Sequence, residues 1–196
     1  MINRRFENSL NDFGKKVVNL SKGNLQKAKK GGGTLESSVR YGIDKNNDMY
    51  SVNFYMEYYG AFVDAGVSGA GGTLKGGKYP GTYSGIQQYK NYKSEWVNSP
   101  FRFGSGKSSG SIYKGIGSFI KKKGLQPRVP KGQKGGGQYK STLGMKIAMV
   151  KVLWTKGIKG ISFFQNAIRV TLKNFENEIL TSIKFDVLEE IKKQTT

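Results

Sequence analysis

The chain has 196 residues and carries 33 Lys and Arg against 13 Asp and Glu, a formal net charge of +20. Without cysteine it forms no disulfide and offers no thiol nucleophile or thiolate ligand. Without histidine it lacks the usual neutral-pH general base and every imidazole ligand. The length suits one domain over 1–196, or two small ones, a 36% hydrophobic content can bury a core, and the elements below make the class α+β.

At the start, Ile2, Phe6, Leu10, Phe13, Val17 and Leu20 recur three or four residues apart, one face of a helix. Lys27, Lys29 and Lys30 suit the negative end of its dipole, and Gly31-Gly32-Gly33 stops it. Alternation then begins. Leu35, Ser37, Val39, Tyr41 and Ile43 form one arm, and Tyr50, Val52, Phe54, Met56 and Tyr58 the other. The polar run Asp44-Lys45-Asn46-Asn47-Asp48 joins them, so the pattern predicts an antiparallel hairpin covered on one face by the helices.

Residues 66–110 read as an extended loop rich in glycine. It is interleaved with Tyr79, Tyr83, Tyr89, Tyr92, Trp96, Phe101 and Phe103, rings that suit either a protein interface, such as one between subunits, or stacking on bases. A second Gly/Lys loop covers about 124–140. Three helices accompany these loops. Their stripes are Ile112, Ile116, Phe119 and Ile120; Leu143, Ile147, Val150 and Trp154; and Phe164, Ile168, Leu172, Phe175, Ile179, Ile183, Val187 and Ile191, the last capped by Ser162.

Charge follows the same division. Residues 65–175 hold 20 basic side chains and one acid, Glu95, whereas 1–64 hold 10 basic and 7 acidic and 176–196 hold 3 and 5. Such a stretch repels itself unless an anionic surface lies alongside it. The residues expected to meet that anion, DNA or an acidic protein face, are Lys114, Lys121, Lys122, Lys123, Arg128, Lys131 and Lys134.

Enzymatic motifs fail on inspection. Gly106-Lys107-Ser108 ends like a phosphate-binding loop, but Phe101 stands where its first glycine belongs; after Gly72 and Gly77-Lys78, Tyr79 replaces the hydroxyl residue. Glu57 and Asp64 do not make a facing carboxylate pair, and Asp64 reads as a turn residue accepting backbone hydrogen bonds. No catalytic residue, metal ligand or cofactor is predicted, and no apolar run reaches the ~20 residues of a membrane helix. Basic loops with interleaved rings leave a nucleic-acid-binding protein, similar to basic ribosomal proteins, as the alternative to a protein-interaction module.

Four segments carry a family resemblance. Tyr58-Tyr59-Gly60-Ala61-Phe62-Val63-Asp64-Ala65-Gly66 resembles the strand-end element of bacteriophage tail-completion (neck, head–tail joining) proteins. Ser99-Pro100-Phe101-Arg102-Phe103-Gly104-Ser105-Gly106 is similar to the loop that follows it there. Ile116-Gly117-Ser118-Phe119-Ile120-Lys121-Lys122-Lys123-Gly124-Leu125 is similar to the short helix, and Lys156-Gly157-Ile158-Lys159-Gly160-Ile161-Ser162-Phe163-Phe164 to the turn before the last helix. They stand in the family's order over about 50–175.

The resemblance implies a sheet flanked by helices and a non-catalytic virion protein, made in the host cytoplasm and located in the neck or tail. It implies a homo-oligomeric ring, hexamer or dodecamer, between the portal and other neck or tail proteins. Packaged DNA in the channel is a further candidate partner, and no membrane is involved.

Overall fold

The computed structural model describes residues 4–46, 49–75, 79–103, 110–127 and 141–194. In chain order these form α1 (Arg4–Lys27), α2 (Thr34–Ser38), β1 (Arg40–Asn46), β2 (Met49–Tyr55), α3 (Gly60–Ala65) and β3 (Gly66–Ser68). There follow β4 (Gly72–Leu74), β5 (Gly81–Tyr83), β6 (Gln88–Lys90), β7 (Trp96–Asn98), α4 (Gly110–Lys123), α5 (Thr142–Lys156), β8 (Gly157–Lys159) and α6 (Phe163–Gln194). The class is α+β. The chain divides into two compact units: Met1–Asp64 with Lys90–Val97 and Ile161–Thr196, and Ala65–Tyr89 with Asn98–Gly160.

In the first unit, α1 and α6 pack together under the β1–β2 hairpin. Its antiparallel register pairs Tyr41 with Phe54 and Ile43 with Val52, as the two alternating arms predict. One cluster buries Val18, Leu25, Leu35, Val39 and Phe163 beneath Tyr41, Phe54 and Met56. A second buries Phe13, Val17 and Ala167 beneath Val52, Ile168, Leu172 and Phe175. The Phe13 and Phe175 rings lie 4.4 Å apart, and Phe54 meets Phe164 edge-on at 5.4 Å.

Two predicted stripes need correction here. Residues 34–38 are helical: Leu35 and Val39 are four apart, so the spacing that suits a strand also puts both on one face of a helical turn, and both are buried. On α1 the buried face runs Leu10, Phe13, Val17, Ser21 and Leu25, which leaves Leu20 exposed. Asn47 and Asp48, expected in the hairpin turn, lie outside the described residues.

The second unit is built on strand pairs. β3 pairs antiparallel with β8, Val67 opposite Ile158, and its other edge bridges to Arg102 in parallel. β4 and β5 form a hairpin in which the Thr73 and Thr82 hydroxyls share a 3.0 Å hydrogen bond. Thus 66–103, read as a loop, holds five short strands. α4 and α5 pack on each other, and α5 also meets β4 and β8. Leu74, Ile120, Met145 and Thr155 are buried. Ser141 caps α5, accepting the Gly144 N–H at 3.1 Å.

Candidate functional site

The segments singled out in the sequence are held by backbone hydrogen bonds inside each unit. Within the first unit, the Ile161 N–H donates to the Val63 carbonyl at 3.1 Å and the Ser162 N–H to the Asp64 carbonyl at 2.9 Å. The Asp64 carboxylate accepts the Phe164 N–H at 2.7 Å, at the first turn of α6. Within the second unit, β8 pairs along one edge of β3. On the other edge the Ser68 N–H donates to the Phe101 carbonyl and the Phe103 N–H to the Ser68 carbonyl, both at 2.7 Å. The Ser99 hydroxyl donates to the Gly66 carbonyl at 2.7 Å.

Asp64 therefore does accept backbone hydrogen bonds, but those of α6 and not those of its own turn. Ser162 does not supply the cap; its φ is +49° and its carbonyl accepts the Asn166 N–H instead. Burial pushes the Asp64 carboxyl up to about 6, although the Phe164 and Gln165 N–H groups hold it down. A carboxylate so engaged is a structural cap at the start of α6.

The predicted cationic residues divide between two outcomes. Lys114, Lys121, Lys122 and Lys123 are exposed on α4, the last three in its final turn, where the helix dipole favours them. Arg128, Lys131 and Lys134 lie outside the described residues. Residues 65–89 and 98–160 together hold 16 Lys and Arg and no Asp or Glu. All 13 carboxylates belong to the first unit, so the division of charge follows the division into units.

The predicted aromatic contacts are not equivalent. Tyr79, exposed, and Tyr83, half-buried, meet a cation of their own unit: the Lys156 ammonium sits 4.3 Å and 4.1 Å from their ring centroids. The Tyr83 hydroxyl also donates to the Tyr79 carbonyl at 3.2 Å. Tyr89, Phe101 and Phe103 are half-buried, whereas Tyr92 and Trp96 are exposed, Trp96 by 65%. Sequence reading missed the Lys156 pair and a second one, Lys146 at 3.5 Å over Tyr113. The mixture of lysines with tyrosines was its visible signal.

The apolar stripes carry the less expected result. On α5, Leu143 is 57% and Ile147 51% exposed, while Met145 on the opposite side is buried. On α6 the stripe begins in the core but steps by four from Phe175 onward. Each four-residue step turns about 40° beyond a full helical turn, so the stripe winds off the face that α1 covers. Ile183 and Val187 emerge exposed beside Leu180, which is 65% exposed. Ile191 has no described side chain.

Polar groups replace the stripe against α1. Glu178 accepts Lys16 at 2.9 Å, Ser182 shares a 2.7 Å hydrogen bond with Ser9, and Arg5 lies 3.1 Å from Glu189 and 3.9 Å from Asp186.

Grooves among the described residues are open. The one of about 570 Å³ beside the hairpin is lined by Glu7, Asn11, Tyr41, Lys45 and Tyr50, and there the Tyr50 hydroxyl donates to Glu7 at 2.8 Å. Among the described residues no group of three or more Asp or Glu could hold a metal ion, and no helix is long and apolar enough to cross a membrane. No protein-family model, curated protein or solved structure matches this chain. Among the described residues stand two outward apolar stripes, and one of the two units holds no carboxylate in its sequence.

Proposed function

We propose that this chain is a structural subunit of a bacteriophage head–tail connector, a non-catalytic ring component of the neck between portal and tail. The observation that carries the reading is the stripe on α6, which leaves Leu180, Ile183 and Val187 exposed while carboxylates and serine occupy the side that meets α1. A helix of 32 residues, about 48 Å long, that turns an apolar face outward gains stability when another chain covers that face. The order of the four motif segments supports the same reading. Electron microscopy of the purified chain, alone and with a portal, tests it. Closed rings of uniform subunit number are expected; single particles of one chain under both conditions would overturn it.

A second reading rests on the carboxylate-free unit, whose 16 cations suit a polyanion. A protein neutralising many phosphates loses roughly 10³–10⁵ in affinity between about 50 and 200 mM salt. Duplex DNA retention that is tight at low salt, with that slope and without ring formation, would favour a nucleic-acid-binding protein. Weak retention alongside salt-resistant assembly favours the connector subunit.

A further inference from the structure

Resting on the ring reading, we infer that the outward stripe of α6 in one subunit docks on the outward stripe of α5 in the next copy of the same chain, the two helices running antiparallel. Leu143 and Ile147 on α5 and Leu180, Ile183 and Val187 on α6 are exposed, and Val150 is half-buried. Their spacing matches. Leu180, Ile183 and Val187 are separated by three and then four residues; read in the reverse direction, Val150, Ile147 and Leu143 are separated by three and then four. Each set spans about 10 Å of helix. An antiparallel pair thus sets Leu180 against Val150, Ile183 against Ile147 and Val187 against Leu143, the repeat that lets side chains interdigitate.

Charge selects this pairing over α6 against α6. The α6 stretch 174–189 holds Glu176, Glu178, Asp186 and Glu189 against Lys184, and even with Arg5 and Lys16 of α1 paired to three of them it stays net acidic, so two copies offer each other little opposite charge. The α5 face belongs to the unit that has no carboxylate, and it is flanked by Lys146 and the exposed Lys151. In the antiparallel register Glu176 falls within one helical turn of Lys151. The two faces differ, so the contact is heterologous: every subunit keeps one free face of each kind until a ring closes. A symmetric α6 pair would instead end at a dimer.

The absence of cysteine makes cross-linking decisive. Ile147→Cys and Ile183→Cys are made singly and together in the full chain, and each is oxidised and run without reductant. The double variant is expected to give a ladder of covalent oligomers. Each single variant is expected to stay monomeric, and a mixture of the two is expected to give a covalent dimer. A covalent dimer from Ile183→Cys alone would overturn the inference in favour of α6 self-pairing. A double variant that yields no ladder, while the unmodified chain still forms rings, would overturn it and leave the ring reading standing. Absence of rings from the unmodified chain, alone or with a portal, would overturn both.

As a second readout, Ile183→Asp is expected to raise the concentration needed for assembly by more than about tenfold, because it buries a carboxylate without a partner. Its helical circular dichroism and melting should stay unchanged, since the site is exposed. Assembly at the original concentration would count against the inference.

Discussion

The Asp64 carboxylate holds the Phe164 N–H at 2.7 Å across a sequence separation of 100 residues. One short side chain thereby fixes where α6 begins and where the chain turns out of α3. The hydrogen bond stays within the first unit, one residue from the point where the chain leaves it.

Asp64 should make stability depend on pH in an unusual direction. Folding raises this carboxyl from its ordinary value to about 6, so the folded chain binds the proton more tightly than the unfolded chain. Its contribution is complete below about pH 4 and is lost as pH rises through 6, about 3 kcal/mol at ~1.4 kcal/mol per pH unit. Asp64→Asn still accepts the N–H groups but does not titrate. Urea unfolding from pH 4 to 7 should show the unsubstituted chain losing about 2–3 kcal/mol relative to Asp64→Asn; parallel profiles would contradict the account.

Phe163 is 1% exposed and belongs to the cluster with Leu25 and Val39. Phe163→Ala should cost about 3–5 kcal/mol, the range for removing a buried aromatic ring. Phe164→Ala, at a half-buried ring, should cost less. Denaturant unfolding followed by circular dichroism orders the two, and equal losses would contradict the packing described.

Much of this packing is visible in the sequence, and the exceptions share a cause. Periodicity locates α1, α4, α5 and α6 and the register-bearing residues of the hairpin, because those patterns depend on neighbours within a few residues. It misassigns 34–38, where a spacing of four fits both a strand and a helical turn. There Ser37 and Ser38 donate to the Thr34 and Leu35 carbonyls, and the Gly32 N–H holds the Glu36 carboxyl below its usual range. β3 with β8, and Asp64 with α6, are long-range pairings with no local signature. The stripes on α5 and α6 are real apolar stripes; periodicity cannot say whether the same chain covers them.

Ser21 offers a gain in stability. Its side chain is fully buried, and among the described residues its hydroxyl has no hydrogen-bond partner. Ser21→Ala removes that cost and improves helix propensity, so it should stabilise the chain by about 1 kcal/mol. A thermal melt with an unchanged or lower midpoint would contradict this.

Gly157 should tolerate nothing larger. Its φ is +84°, and a Cβ there would stand 2.3 Å from the Val67 carbonyl oxygen on β3. Gly157→Ala should break the β3–β8 pairing and cost more than the ~1 kcal/mol of an unfavourable glycine replacement alone. Hydrogen exchange at the β3 amides should accelerate in this variant, and protection equal to that of the unsubstituted chain would contradict the prediction.

The central claim is that this chain is completed by copies of itself. Sedimentation velocity of the full chain at high salt, where attraction between exposed charges is screened, tests it most directly. The account predicts one discrete closed oligomer that replaces the monomer as concentration rises and resists added salt. A monomer that persists at every concentration, or aggregates that dissolve as salt increases, would contradict it.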